Sequence, residues 1–280
     1  MKGPSSLVLG VALLAVVFVP CLAKDPPYYI LQCSKSDPKI NECLTRTANH
    51  ITQHIRRGIP ELDLADAEPI LIDEVSISLG SGPDAYRASF KDIEARGVSN
   101  MTVVRMRSNV DAIEFQMAIK IPKIRAKANY RSSGVLIVVK ASGGGDYWGV
   151  YEGVRAVIDF AGEKYTGSDG ETYVKVKKVK LDFAVDKISM GIENIHNGNT
   201  VIQAAMNLFI NTNSQELLTE MKPSLKKKLE VVLHNFLDNK LLSKVPYDTG
   251  SNESIYQHEF TGATDGDETK FKEEIGSRSS

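Results

Sequence analysis

Thr200–Lys244 reads TVIQAAMNLFINTNSQELLTEMKPSLKKKLEVVLHNFLDNKLLSK, and the fold turns on how this stretch is arranged. Leu218, Met221, Leu225, Leu229, Val232 and Phe236 recur every three or four positions, the period of one helix face. As a single helix, at ~1.5 Å per residue, the run would be ~68 Å long. A compact domain of this chain's length has a radius of gyration of only ~18 Å. Either the helix is broken, or the molecule is a rod with the rest of the chain wrapped along it. Pro223 falls inside the run and removes one backbone hydrogen bond. Two arrangements accommodate it: one bent helix, or two helices with Pro223 in the first turn of the second.

Upstream, from Ile70 to about Ile195, the period drops to two, the signature of strands with one dry face. Val75, Ile77 and Leu79 share a side of Leu71–Leu79. Ile113, Phe115, Met117, Ile119 and Ile121 share a side of Ala112–Ile124, and Gly134–Val139 is a short apolar run. Tyr173–Ile188 alternates most cleanly, with Val174, Val176, Val179, Leu181, Phe183 and Val185 set against lysines and aspartates. Its phase slips at Lys177–Lys178, as a β-bulge requires. Turn residues at Ser81–Asp84, Ser132–Gly134, Ser142–Gly145 and Ser168–Gly170 leave short connections, so the strands pair antiparallel as hairpins. The dry face needs a cover. Besides the long run, one other helix is available: Asn41–Arg57, with Leu44, Ala48, Ile51 and Ile55 on one face, stopped by Gly58 and Pro60. The fold class is α+β.

The two ends read differently. Residues 1–23 carry Lys2, an apolar stretch from Leu7 to Val19, and a small residue, Ala23, suited to cleavage. That is the pattern of a secretory signal, too short to span a bilayer. The expected mature module is 24–247. Removing the leader takes Lys2 and Cys21 with it, so the formal charge moves from −1 to −2. A near-neutral chain lacks the basic surplus of a nucleic-acid binder. Cys33 and Cys43 remain, an even pair in an oxidising compartment; they form one disulfide or stay as two free thiols. Residues 248–280 lose all periodicity. Thr249–Ser280 holds seven acids and three bases, and is expected to be a flexible acidic tail. Sequons at Asn100 and Asn252 are candidate glycosylation sites on an exported chain.

A search for catalytic chemistry finds no G-x-S-x-G elbow and no phosphate loop. Gly143–Gly145 lies between strand patterns and reads as a hairpin turn. His50 and His54 stand four apart as zinc ligands would, but Ile51 takes the place of the glutamate that a zinc hydrolase motif needs. They read as two helix-surface histidines. His196, His234 and His258 have no cluster around them. No metal, cofactor or catalytic residue is expected. Two lysine-rich stretches, Lys175–Lys180 and Lys226–Lys228, read as solvated faces, with transient docking to a membrane or receptor as the sharper alternative. What remains is apolar surface. Phe115, Met117, Tyr130, Trp148, Tyr151, Phe183, Met206 and Phe209 stand near the proposed sheet–helix seam. Singly each reads as core; together they are candidates to line a long apolar tunnel.

The series from Tyr173 to Phe183, Ile192–Ile195, His196–Asn199, Met206–Asn211 and Glu220–Pro223 resembles the takeout and haemolymph juvenile-hormone-binding-protein family of insects. The leader, the pair Cys33 and Cys43, and Ile119–Pro122 ahead of Tyr130 agree with it, and the likeness runs from about Leu31 to Pro246. One departure is Ser214, where the family usually has an aromatic residue near Asn213. The resemblance implies one elongated module: a long curved antiparallel sheet wrapped around one long C-terminal helix, plus a short N-terminal helix. It also implies a secreted, non-enzymatic carrier of a hydrophobic small molecule such as juvenile hormone, a fatty acid or a related terpenoid. The takeout branch is linked to feeding, circadian output and chemosensory tissue. The alternative is a secreted interaction protein that acts through its surface and has a filled core. A secreted hydrolase would instead need a nucleophile within reach of a histidine.

Overall fold

A computed structural model describes residues 28–63, 68–79, 81–83, 85–136, 139–140, 142–194 and 200–247. The expected leader, the acidic tail, Asn252, His196 and His258 lie outside these residues. Helix α1 (Ile40–Ile55) comes first. Strands β1 (Ile70–Leu79), β2 (Tyr86–Arg96), β3 (Thr102–Asn109) and β4 (Glu114–Ser133) follow. The short pair β5 (Val135–Leu136) and β6 (Val139–Lys140) leads into β7 (Gly143–Thr166) and β8 (Thr172–Glu193). Helices α2 (Thr200–Thr212) and α3 (Ser214–Phe236) close the chain, and α3 runs on into a π-helical turn, Leu237–Leu242. Every strand pair is antiparallel. The main sheet runs β1-β2-β4-β7-β8, with β3 also paired to β4, on a stretch of that strand that β2 does not reach. The sheet curls until α3 touches both outer strands, β1 and β8. This is the wrapped α+β architecture that the sequence resemblance implies.

The long run is helical from Thr200 to Leu242 except at Asn213. The interruption is slight: Asn213 N–H still donates to the Phe209 carbonyl (3.0 Å), and Leu217 N–H to the Asn213 carbonyl (2.9 Å). The Asn213 side-chain amide adds a bond to the same Phe209 carbonyl (2.8 Å). Pro223 lies well inside α3, not in a first turn. Pro223 is exposed, and so is Thr219, whose carbonyl loses its partner, so water can satisfy that group.

The long strands switch which alternate residues face inward, and they do so in one row. Register places Pro122 of β4 opposite Gly153 of β7, and Gly153 opposite Asp186 of β8. On one side of the row the buried positions are Ile119, Ile121, Val154, Ala156, Ile158, Val179 and Leu181. On the other they are Ala126, Ala128, Tyr130, Tyr147, Ile188, Met190 and Ile192. Pro122 has no N–H to offer a ladder, and Gly153 has φ +64°, where a Cβ would collide with the Asp186 side chain. The crease divides the core in two. One half packs against α2 and the start of α3; the other packs against the later turns of α3. A separate register shift lies between Ala161 and Gly162, opposite Lys177, where the alternation of β8 slips.

β8 is an edge strand, and such edges carry unpaired backbone groups. Here the helical run satisfies them. Ile192 N–H donates to Asn207 Oδ1 (2.8 Å), and Asn207 Nδ2 donates back to the Ile192 carbonyl (3.0 Å). Asn211, one turn on, does the same for Met190 (3.3 and 2.8 Å). Gln215 donates to the Val185 carbonyl (3.2 Å); Glu230 accepts from Leu181 N–H (3.1 Å) and Asp238 from Val176 N–H (2.8 Å). Ion pairs reinforce the seam: Lys222 and Lys226 both reach Asp182 (2.9 and 3.4 Å), and Lys180 reaches Glu230 (3.4 Å). The β3 edge is latched in the same way, by Asn49 of α1, which bonds Val103 N–H (2.8 Å) and carbonyl (2.9 Å). Cys33 and Cys43 are joined in a disulfide, tying the segment before α1 to its first turn.

Replacing Asn207 and Asn211 together with alanine leaves four edge groups of β8 without partners. At roughly 1 kcal/mol for each lost bond the fold should lose about 2–4 kcal/mol. The urea midpoint is expected to fall, and the Met190 and Ile192 amides to exchange faster while the β4–β7 ladder stays protected. Uniform exchange, or an unmoved midpoint, would show that these amides do not hold the edge.

Candidate ligand-binding site

The described cavity lies on the α2 side of the crease, with a volume of about 30 Å³. Sheet residues Ile77, Tyr86, Phe90, Tyr130, Tyr147, Met190 and Ile192 form its floor. Phe209 and Ile210 of α2 with Leu217 and Met221 of α3 form its roof. None of these side chains is charged. The space is that of about one water molecule, against the ~300–1,000 Å³ of a typical small-molecule site. Holding a larger ligand requires side chains to move. Met190 and Met221, unbranched and adaptable, and the half-buried Phe209 are the ones suited to it.

The polar features of this interior are two phenol pairs. Tyr86 and Tyr130 share a hydrogen bond of 2.6 Å, and Tyr147 and Tyr151 one of 2.5 Å. Tyr147 also points its hydroxyl at Met190 Sδ (3.4 Å), and Phe90 packs edge-on to the Tyr147 ring, 4.8 Å between centroids. Burial pushes all four phenols up from their ordinary value; the neighbouring hydroxyl raises Tyr86 and Tyr147 further. All four are therefore neutral at physiological pH. They can give or take a hydrogen bond, but they offer no positive charge to a buried anion.

The residues picked out in the sequence separate into three places. Tyr130 and Phe209 line the cavity; Met206 is buried in the same half of the core, and Tyr151 and Phe183 lie half-buried where the two halves meet. Phe115 and Met117 lie beyond the crease, Phe115 against Phe160 with centroids 5.9 Å apart and Met117 on the second core cluster. Trp148 is on the opposite face of the sheet. Its parity on β7 is that of Asp146 and Val150, and its indole rests on Gly191 of β8, where an added Cβ would meet the ring at 2.9–3.0 Å. Met221 belongs to the apolar stripe read from the helical run, while Tyr86, Phe90, Tyr147 and Met190 were not singled out. A usable signal existed: Tyr147, Gly149 and Tyr151 step by two, which groups Tyr147 with Tyr151 and sets Trp148 apart.

Elsewhere, the His50 and His54 rings, tilted to one another with centroids 4.4 Å apart, bond the carbonyls of Tyr28 and His50. Among the described residues no group of His, Cys, Asp and Glu is arranged to hold a metal ion, and no described helix is long and apolar enough to cross a membrane. Asn100 is exposed at the end of a short helical turn, and Thr102 of its sequon is exposed too.

A curled antiparallel sheet closed by a helical post, with an uncharged cavity between them, defines a wrapped-sheet module with an apolar interior. The chain belongs to the haemolymph juvenile hormone binding protein family, whose profile matches residues 11–250. It is 20% identical to the circadian clock-controlled protein daywake of Drosophila melanogaster, over 89% of this chain and 97% of that protein. It is 20% identical to daywake of Drosophila yakuba over 74% and 82%. Its fold matches the crystal structure of Takeout 1 from Epiphyas postvittana with a TM-score of 0.65 at 19% identity, covering 79% of this chain and 99% of that one.

The phenols give a test of this interior. Their folded values are raised, so their contribution to stability is intact below about pH 10, the unfolded value, and is lost as pH rises above it. The difference spectrum between the natural protein and the double variant Tyr86→Phe, Tyr147→Phe should show no phenolate until the fold opens in alkali. The double variant should lose stability less steeply above pH ~10. Phenolate from these two residues near pH 10 in the folded protein would contradict their burial.

Proposed function

We propose that the protein is a secreted carrier that holds a neutral apolar small molecule between the inner sheet face and the α2–α3 post. The observation that carries this reading is the cavity itself: apolar, without a charged lining residue, and edged by phenols that stay neutral. The name of the family supports it, since it describes a haemolymph protein that binds juvenile hormone. The chemistry favours a neutral terpenoid or lipid ester over an ionised fatty acid, because a carboxylate buried among these side chains would have no counter-charge. The daywake relatives are described as circadian clock-controlled, which supports a role in circadian physiology. The reading also makes the protein a binder and not an enzyme. Export would expose Asn100 to glycosylation, which glycosidase treatment of the secreted protein, with Asn100→Gln as control, would register.

A second reading has its own observation. A cavity of about 30 Å³ leaves the interior close to filled. A signalling protein that works through its surface would look the same at rest.

Displacement of a bound fluorescent apolar probe separates them. Juvenile hormone, an ester, is expected to displace the probe at least ~10-fold better than a fatty acid at pH 8, a difference worth ~1.4 kcal/mol. The gap should narrow as pH falls towards the carboxyl range of ~4–5 and the acid becomes neutral. Equal displacement at all pH values would remove the neutral-ligand preference. No probe uptake, with no lipid copurifying from native tissue, would leave the filled-core reading standing.

A further inference from the structure

Trp148 and the outer face of β4 belong together. β4 is the middle strand of the curled sheet, so its outward side chains form the crest of the convex face. That strand carries Lys120, Lys123, Arg125, Lys127 and Arg131 against a single acid, Glu114. Arg125, Lys127 and Arg131 are exposed and alternate with the buried Ala126, Ala128 and Tyr130, so all three point outward. Arg96 of β2 stands directly opposite Arg125. Like charges facing each other across a ladder repel, so folding does not by itself favour this pairing. Lys123 is neutralised by Glu152 (2.7 Å), and Glu94 faces Lys127 across the ladder. Arg96 and Arg125 interact at longer range with Glu68 and Glu152, while Arg125, Lys127 and Arg131 keep their side chains exposed on the outer face. Of the lysines that stand out in the sequence, Lys175, Lys180 and Lys226 pair with Glu163, Glu230 and Asp182, whereas Lys177 and Lys178 are exposed on the edge strand β8, away from the crest. Five bases against one acid along β4 make the crest basic in a chain of formal net charge −1, with Glu94 and Glu152 of the flanking strands offsetting part of it.

Trp148 of β7 lies opposite Lys127, and Val150 opposite Arg125. Gly191 lets the partly exposed indole lie against the sheet. It is the only tryptophan of the chain.

We propose that this crest docks the protein on an anionic lipid bilayer, with the bases meeting headgroup phosphates and Trp148 and Val150 reaching the boundary beneath them. The choice of a lipid surface rests on the carrier reading, since an apolar cargo must be taken from or given to a lipid phase. The geometry favours it over an acidic polymer. The middle strand of a convex sheet is the first part to touch a plane, and an indole and a valine among the bases suit a headgroup boundary. A polyanion would gain only from the charges.

The single tryptophan reports directly. Full-length protein is mixed with vesicles of phosphatidylcholine alone, or of phosphatidylcholine with phosphatidylglycerol. A blue shift and rise of Trp148 emission is expected with the anionic vesicles only, reversed by about 0.5 M salt. Arg125→Glu with Lys127→Glu should weaken vesicle binding about tenfold or more, and the milder Arg125→Gln with Lys127→Gln several-fold. Lys177→Glu with Lys178→Glu, on exposed β8 positions away from the crest, should leave binding unchanged. Urea midpoints confirm that each variant is folded. No shift with anionic vesicles overturns the proposal, as does an equal loss in the β8 control. So does a response to heparin without one to vesicles, which would assign the crest to an acidic polymer. Uptake of the fluorescent apolar probe without vesicles, measured on the same samples, keeps the two questions apart. Crest variants that still take up probe but lose vesicles support docking, whereas vesicle binding by a natural protein that takes up no probe overturns the carrier reading alone.

Discussion

The structure depends on how the free edge of β8 is satisfied. A long strand at the rim of an open sheet exposes a row of N–H and C=O groups that invite pairing with another chain. Covering such a row with other groups is one remedy. Here side chains of α2, α3 and the following π-turn provide them, with Asn207, Asn211, Gln215, Glu230 and Asp238 meeting β8 from Ile192 down to Val176. Amides suit the work because one side chain both donates and accepts, so a single Asn satisfies both groups of one strand residue. The spacing of four between Asn207 and Asn211 matches a helix turn to two strand residues, about 6 Å of rise against about 6.6 Å. Each β8 residue held in this way also points its side chain inward, so the polar zipper and the apolar packing are set by the same register.

That coupling explains the crease. Inward parity and edge-facing parity alternate together along a strand. Where β8 changes phase at Asp186, the edge contacts change phase too, from Met190 and Ile192 to Val185 and Leu181. Pro122 and Gly153 make the same change in the two strands beside it, so the pairing register survives while the buried set shifts by one. The core is thereby split, and the described cavity belongs wholly to the half beneath α2.

The sequence showed the broad architecture and hid these local devices, for a physical reason. Periodicity over Leu218–Phe236 and Val179–Val185 identifies a helix face and a strand face because both are uninterrupted. β7, the longest strand, was not recognisable as one element, since Gly153 reverses its pattern between Tyr151 and Val154. Pro223 in the helical run left open one bent helix or two; α3 runs on through Pro223, and the slight interruption lies at Asn213, where a side chain that can bond its own helix relieves the backbone. Parity also decides the site. Tyr147 and Trp148 are neighbours in sequence and lie on opposite faces of one sheet, so aromatic character alone could not assign them. The amide zipper was invisible because nothing local marks an Asn as facing a strand from far along the chain.

The helical post is held unequally on its two sides. Towards β8 it is fixed by directional bonds and ion pairs that must break before it can move. Towards β1 the same cluster offers Ile72, Val75 and Ile77 against Leu218, Met221 and Leu225, all apolar contacts. Such contacts have no preferred direction and can slide or re-form around an apolar guest, which replaces the surface they lose. Enlarging a 30 Å³ cavity is therefore easiest by easing β1 and β2 away from α3, with β8 as the fixed side. The two methionines of the cavity fit that division. Met190 sits on the zippered strand and Met221 on the helix face turned to β1, so one can stay in place while the other gives way.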